Sequence, residues 1–195
     1  MDAVDKVMAK MDDTARLSRA KDADFVVEGL GGDLLPFQRA GVKYALHAKK
    51  TFIADPMGLG KTIMALAAIH AADAYPALII CPASLRLNWA REAKTWLPGK
   101  SVQVIKGKAK KGVPYVTPEA DVTIINYDII HSGWKPNTEK KVANVHPATA
   151  RDFGCVVLDE SHYVKSYKAL RTAAAKQIAK RAPYRFLLTG TPVLN

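Results

Sequence analysis

The sequence predicts an α/β domain with a mostly parallel central sheet and helices on both faces. Three observations carry this. Short β-rich apolar runs recur along the chain without polar alternation, which suits strands buried on both faces. Helical stretches separate these runs, as a layered α/β architecture requires. One glycine-rich turn, residues 55–62, joins an early run to an apolar helical stretch.

At 195 residues and 49% hydrophobic, the chain is long enough to bury a substantial core as one domain. Residues 1–24 carry six Asp and five basic residues. Val4, Met8 and Met11 give this segment a weak helical stripe, and it reads as an N-terminal extension to a domain over 25–195. Pro36 suits the first turn of a helix running towards His47, where a missing N–H is no loss. Strands are expected near 52–54, 77–80, 102–105, 122–125, 155–158 and 186–188, with a helix over 63–72. Leu85, Trp89, Ala93 and Trp96 recur at spacings of four, four and three, forming one apolar stripe that lies on the sheet as a core face. The Ala-rich stretch 168–180, basic towards its end, is a helix by propensity and by dipole. Residues 106–112 and 133–149 read as basic, solvent-facing loops. No internal repeat is present.

The chain has no apolar run of about 18 residues, and its first 24 are densely charged, so neither a membrane span nor a secretory signal is expected. A soluble intracellular protein follows, cytoplasmic in a prokaryotic or viral host and nuclear in a eukaryotic one. Cys81 and Cys155 lie inside apolar runs without metal-ligand spacing, so buried free thiols are expected. The formal charge of +11 reflects 29 Lys and Arg against 18 Asp and Glu. Such a surplus concentrates polyanions around the surface, and nucleic acid is the natural one. Charge alone fits a generally basic soluble protein equally well.

Two segments carry chemistry. Asp55-Pro56-Met57-Gly58-Leu59-Gly60-Lys61-Thr62 follows an expected strand and opens a helix, the context a phosphate-binding loop needs. Its glycines let backbone N–H groups turn towards a phosphate, and the helix presents its positive end to the same anion. Lys61 would reach the outer phosphates and Thr62 would offer its hydroxyl to magnesium. Asp55 stands where the general pattern has Gly. Further on, Asp159 and Glu160 close the run Val156-Val157-Leu158, at the carboxyl end of a strand where open α/β sheets bind ligands. Asp159 would hold magnesium and Glu160 would orient and deprotonate the attacking water. Lys61, Asp159 and Glu160 are therefore the expected catalytic residues, and ATP with magnesium the expected cofactors.

Together with Ser161-His162 and Thr189-Gly190-Thr191-Pro192, these segments resemble the Swi/Snf group of helicase superfamily two. Leu35 to Val42 is similar to its adenine-recognition segment, Ile80 to Leu85 to its motif Ia, and Ile125 to Asp128 to a later DNA-side motif. The wording around 35–42 and 159–165 is nearest the annealing-helicase branch. The resemblance spans about 34–195 and implies a RecA-like lobe of a P-loop NTPase.

It also implies roles. Gln38 would read adenine, beside a loop formed by Asp55, Met57, Gly58, Leu59, Gly60, Lys61 and Thr62. His162, Thr189, Gly190 and Thr191 would link the γ-phosphate to the DNA side. Ser84, Asn126 and Tyr127 would touch the sugar-phosphate backbone of double-stranded or branched DNA, joined by Lys106 from the basic cluster Lys106, Lys108, Lys110 and Lys111. For Ser84 an N-cap, and for Tyr127 packing, remain alternatives on the residues themselves. The family hydrolyses ATP between two such lobes, the second supplying an arginine finger. A monomer carrying one lobe, with little turnover alone, is expected. Pro56 stands where the family commonly has Glu, and Ser166 where Asn often follows the Lys165 position. A non-catalytic DNA-binding scaffold and an RNA helicase lobe are the rival readings.

Overall fold

The apolar runs find one another as strands of a single parallel sheet. The computed structural model describes residues 3–56, 58–109, 119–132 and 145–190, with side chains from residue 11 onward. Met57, Lys110, Lys111, Thr191, Pro192 and the stretch 133–144 lie outside the described residues.

The strands are β1 (Lys50–Ile53), β2 (Ala77–Cys81), β3 (Val102–Val104), β4 (Val122–Asn126), β5 (Cys155–Leu158) and β6 (Tyr184–Leu188). Their order across the sheet is β1-β6-β5-β2-β4-β3, and every pairing is parallel. Both faces are apolar, as the sequence runs required. Ile79, Ile124 and Val157 face one core, shared with helices α2 (Pro36–Ala48), α3 (Lys61–Ala71) and α4 (Arg86–Trp96). Leu78, Ile80, Ile125, Val156 and Leu158 face the other, covered by α5 (Leu170–Arg181). The inner strands β2, β4, β5 and β6 thus send alternate side chains to two separate cores, whereas the edge strands β1 and β3 contribute to the first alone.

The helices follow local chemistry. Pro36 opens α2, where its fixed φ already suits a helix. Helix α3 buries every residue from Met64 to Ile69, so it is a central prop and not an amphipathic surface helix. Trp89 and Ala93 are the buried members of the α4 stripe, with Leu85 and Trp96 packed against the same core. At the N-terminus a helix, α1, spans Ala3–Ser18. Beyond it, Asp22 receives Nε and Nη2 of Arg39 at 3.0 and 2.9 Å, a two-pronged bond that ties this segment to α2.

One loop expectation is corrected. Residues 145–149 close the stretch read as a solvent-facing loop, yet His146, Ala148 and Thr149 are buried. Pro147 opens a short 3₁₀ turn in which His146 Nδ1 accepts the Ala148 N–H at 3.2 Å. The turn joins the α5-side core, which draws its apolar members inward.

Cys81 and Cys155 are buried free thiols. Burial, with the nearby Asp159 charge, pushes the Cys81 thiol up to about 12, and burial alone pushes Cys155 up. Because the thiolate is the reactive form, both cysteines should resist a disulfide reagent at about pH 8 in the folded protein. Both should react once denaturant unfolds it, and colorimetric thiol counting distinguishes the two states.

Candidate functional site

All strands being parallel, their carboxyl ends lie along one edge, and the expected site residues fall on it in two groups. Beyond β1 and β5 lie the turn 55–62 and the acidic pair Asp159 and Glu160. Beyond β2, β4 and β3 lie Ser84, Asn126, Tyr127 and Lys106.

The first group converges. Gly58, Gly60, Lys61, Thr62, Asp159 and Glu160 line one open cleft of about 360 Å³, together with Leu85, Asn88, Trp89 and Glu92. Gly58 and Gly60 hold φ of +87° and +78°, backbone that only glycine adopts at little cost. At Gly60 the space is also closed, since a Cβ would stand 2.5 Å from Gln38 Nε2. Lys61 starts α3 and folds its ammonium onto the loop's own carbonyls, donating to Asp55 O at 2.7 Å and Pro56 O at 3.0 Å. This cation is poised over the loop with backbone acceptors that an anion can replace.

Asp159 is held on every side. Its Oδ2 accepts the Trp89 indole N–H at 2.7 Å, its Oδ1 accepts the Glu160 N–H at 2.9 Å, and its own N–H donates to Ile80 O at 2.8 Å. Burial pushes its carboxyl above the usual carboxylate range, opposed by those two hydrogen bonds and by the charge of Lys61. A carboxylate whose charge is disfavoured by desolvation gains from a cation placed beside it. With the Thr62 hydroxyl in the same cleft, the donor set fits magnesium, which takes few protein oxygens and fills its shell with phosphate and water. Among the described residues no cluster of three His, Cys, Asp or Glu side chains forms a self-contained metal cage. Glu160 adopts φ +48°, a conformation uncommon for a non-glycine residue that marks functional sites. Its Oε2 lies 3.2 Å from His162 Nδ1.

Gln38 is buried beside this loop. Its Oε1 accepts the Leu35 N–H at 3.0 Å and its Nε2 donates to Leu59 O at 3.3 Å, so both ends of the amide are engaged within the protein. The residues expected to couple the two sides divide differently. His162 and Thr189 line a separate apolar groove of about 400 Å³ over β1, β6 and α5, and Gly190 follows directly.

The second group divides by exposure. Lys106 is exposed beyond β3, and Ser84 is exposed within a 3₁₀ turn, Ala83–Leu85, that precedes α4. The N-cap of α4 is Leu85 and not Ser84. Asn126 and Tyr127 are 5% and 1% exposed, so neither side chain presents a surface to a backbone phosphate. The strand pairs in register up to Asn126, opposite Cys81, which carries both residues into the interior. The Tyr127 hydroxyl instead donates to Asp159 O at 2.7 Å, and its ring stacks on Tyr163 at 5.3 Å. Trp89, read from sequence as a core residue, is the functional neighbour that reading missed. The available signal was chemical, because a buried indole N–H needs an acceptor.

Replacing Gln38 by Leu removes the hydrogen bond that ties the loop to α2 at Leu59 O and the one that caps the start of α2 at the Leu35 N–H. A loss of about 1–2 kcal/mol in unfolding free energy is expected, measured by urea denaturation.

Comparison with known proteins bears on the whole arrangement. The model of the SNF2-related domain matches residues 37–195. The DNA annealing helicase and endonuclease ZRANB3 of Bos taurus is 35% identical over 180 residues, covering 90% of this chain and 16% of that protein. The SWI/SNF-related matrix-associated actin-dependent regulator of chromatin subfamily A-like protein 1 of Xenopus laevis is 33% identical, covering 93% of this chain and 18% of that protein. This chain therefore spans less than a fifth of either relative. The SWI2/SNF2 ATPase core of Sulfolobus solfataricus, solved in complex with dsDNA, superposes with a TM-score of 0.69 at 23% identity, over 86% of this chain and 34% of that one. Its likeness establishes the fold, a RecA-like parallel sheet. The chain belongs to the SNF2-related domain family.

Proposed function

We propose that this chain is the first ATP-binding lobe of a Swi/Snf-type DNA translocase, binding MgATP in the cleft and the backbone of duplex or branched DNA along the neighbouring edge. The observation that carries this is the meeting of Lys61, Thr62, Asp159 and Glu160 in one cleft with two positive-φ glycines. Lys61 exchanges the Asp55 and Pro56 carbonyls for the outer phosphates, and the loop N–H groups and the start of α3 hold the remaining charge. Thr62 and Asp159 hold magnesium, which supplies charge neutralisation at the phosphates. Glu160 orients the attacking water and accepts its proton. For Gln38 to read adenine, one of its two present hydrogen bonds must open.

Among the described residues lining the cleft, Lys61 is the one cation. Charge building up in phosphoryl transfer needs more than this, and a facing lobe with an arginine finger is worth about 10³ to 10⁵ in rate in related reactions. Turnover by these residues alone is accordingly slow, and the second lobe is a required partner. The DNA side rests on exposed Ser84, Lys106 and Lys108 and on the net charge of +11. Such contacts read backbone and not bases, and the reading places the protein wherever the cell keeps its DNA, the nucleus in a eukaryote.

Lys61→Ala should weaken binding of a fluorescent ATP analogue in magnesium by about tenfold or more, measured by anisotropy. An unchanged affinity removes the nucleotide assignment, and robust duplex-stimulated turnover by the isolated chain removes the need for a second lobe. Binding to duplex DNA should fall with salt, and replacing Lys106 and Lys108 by Ala should flatten the log–log slope by about 1 per lost phosphate contact. Tighter binding to duplex RNA than to duplex DNA would overturn the substrate class.

A further inference from the structure

Asp159 directly follows β5, the first strand of the nucleotide-side half of the sheet edge, next to β2. Two aromatic donors reach it from the other half. Trp89, on the helix that follows β2, donates its indole N–H to carboxylate Oδ2 at 2.7 Å; Tyr127, on the turn that follows β4, donates its hydroxyl to the backbone carbonyl of the same residue at 2.7 Å. Both side chains are 1% exposed, so neither bond is diluted by water. The Trp89 indole also walls the cleft itself. A buried indole is satisfied by any carbonyl, yet here the acceptor is the carboxylate proposed to hold the metal. Tyr127 extends the same chain of contacts: its ring stacks on Tyr163, which follows the acidic pair.

We infer that Trp89 and Tyr127 are positioning residues that fix the height and rotamer of Asp159 from the DNA-side segments, so that a polyanion seated on those segments changes how strongly the cleft holds magnesium. The inference rests on the nucleotide reading above and deepens it. The physical lever is geometric. Asp159 has one carboxylate oxygen committed to Trp89 and one to the Glu160 N–H, and its main chain is pinned by Tyr127 and by Ile80 O. Helix α4 begins directly after the exposed turn Ala83–Leu85, so a shift of that turn moves Trp89 and, through it, the carboxylate. Partners that orient a metal ligand from behind typically govern metal affinity by about 10- to 100-fold.

The probe is ADP, titrated by calorimetry into the wild-type chain, Trp89→Phe and Tyr127→Phe, with magnesium and with chelator. Phe keeps the ring and removes only the donor. In wild type, magnesium tightens ADP binding. In Trp89→Phe this gain should shrink by about tenfold or more, with metal-free ADP affinity changed much less. Adding Trp89→Phe to Asp159→Asn should cost nothing further in the gain, since the two act through one contact. A short DNA duplex should alter the gain in wild type by about fivefold and leave it unaltered in Trp89→Phe. An unchanged magnesium gain in Trp89→Phe overturns the inference, and so does an equal loss with and without magnesium, which marks packing alone. Should Trp89→Phe fail to fold, Trp89 emission decides, read in a chain whose Trp96 and Trp134 are replaced by Phe. Quenching on adding magnesium to the ADP complex supports the contact, and insensitivity overturns it. A wild-type chain that binds ADP in neither condition removes the nucleotide reading, and this inference falls with it.

Discussion

A half-buried carboxylate at the centre of a parallel sheet edge is the constraint around which this molecule is arranged. Asp159 directly follows β5, the strand flanked by β2 and β6, and burial there disfavours its charge. Nothing in an apolar core compensates a carboxylate, so donors must be brought to it. The chain supplies two hydrogen bonds to the carboxylate, from the α4 indole and the Glu160 amide, and the charge of Lys61 at the head of α3, while the phenol after β4 holds the backbone carbonyl of Asp159. The two cores then place those elements. Helices α2, α3 and α4 pack together on one face, which sets Lys61 and Trp89 on the same side of the cleft.

This arrangement divides the labour of one sheet. The strands β1, β6 and β5 end in the segments that form the cleft and the neighbouring groove, whereas β2, β4 and β3 end in segments that carry Ser84, Asn126, Tyr127 and Lys106. The halves meet at the β5–β2 pairing, in register from Cys155 opposite Ala77 to Leu158 opposite Ile80. Both Trp89 and Tyr127, from segments that follow β2 and β4, end their polar bonds across this seam on Asp159.

The strands and helices were largely legible because their cause is local. Doubly buried strands must be apolar at every position, and helix α4 had to show its stripe. The acidic pair and the glycine turn were legible for a related reason: positive φ and a cleft-facing charge admit few residue types. What stayed hidden depends on pairing partners far away in sequence. Whether Asn126 and Tyr127 face solvent is decided by how far β4 runs in register with β2, which no local pattern encodes. His146 reads as loop because it lies in the basic stretch 133–149, yet the fold buries it beside Ala148 and Thr149. Trp89 was seen correctly as apolar contact area, but its one polar atom faces a residue 70 positions away.

The strand order has a bearing on how the chain is made. Strand β1 lies at the sheet edge with β6 as its neighbour, Lys50 standing beside Arg185. On a ribosome, β1 and the glycine turn emerge early, but the strand that anchors them is synthesised last among the described elements. The β2, β4, β3 half has all its members beforehand and can assemble first, since closure of such distant pairs is slow and entropically costly. The glycine turn is thus late to mature among the described elements, taking its final shape only once β6 docks beside β1.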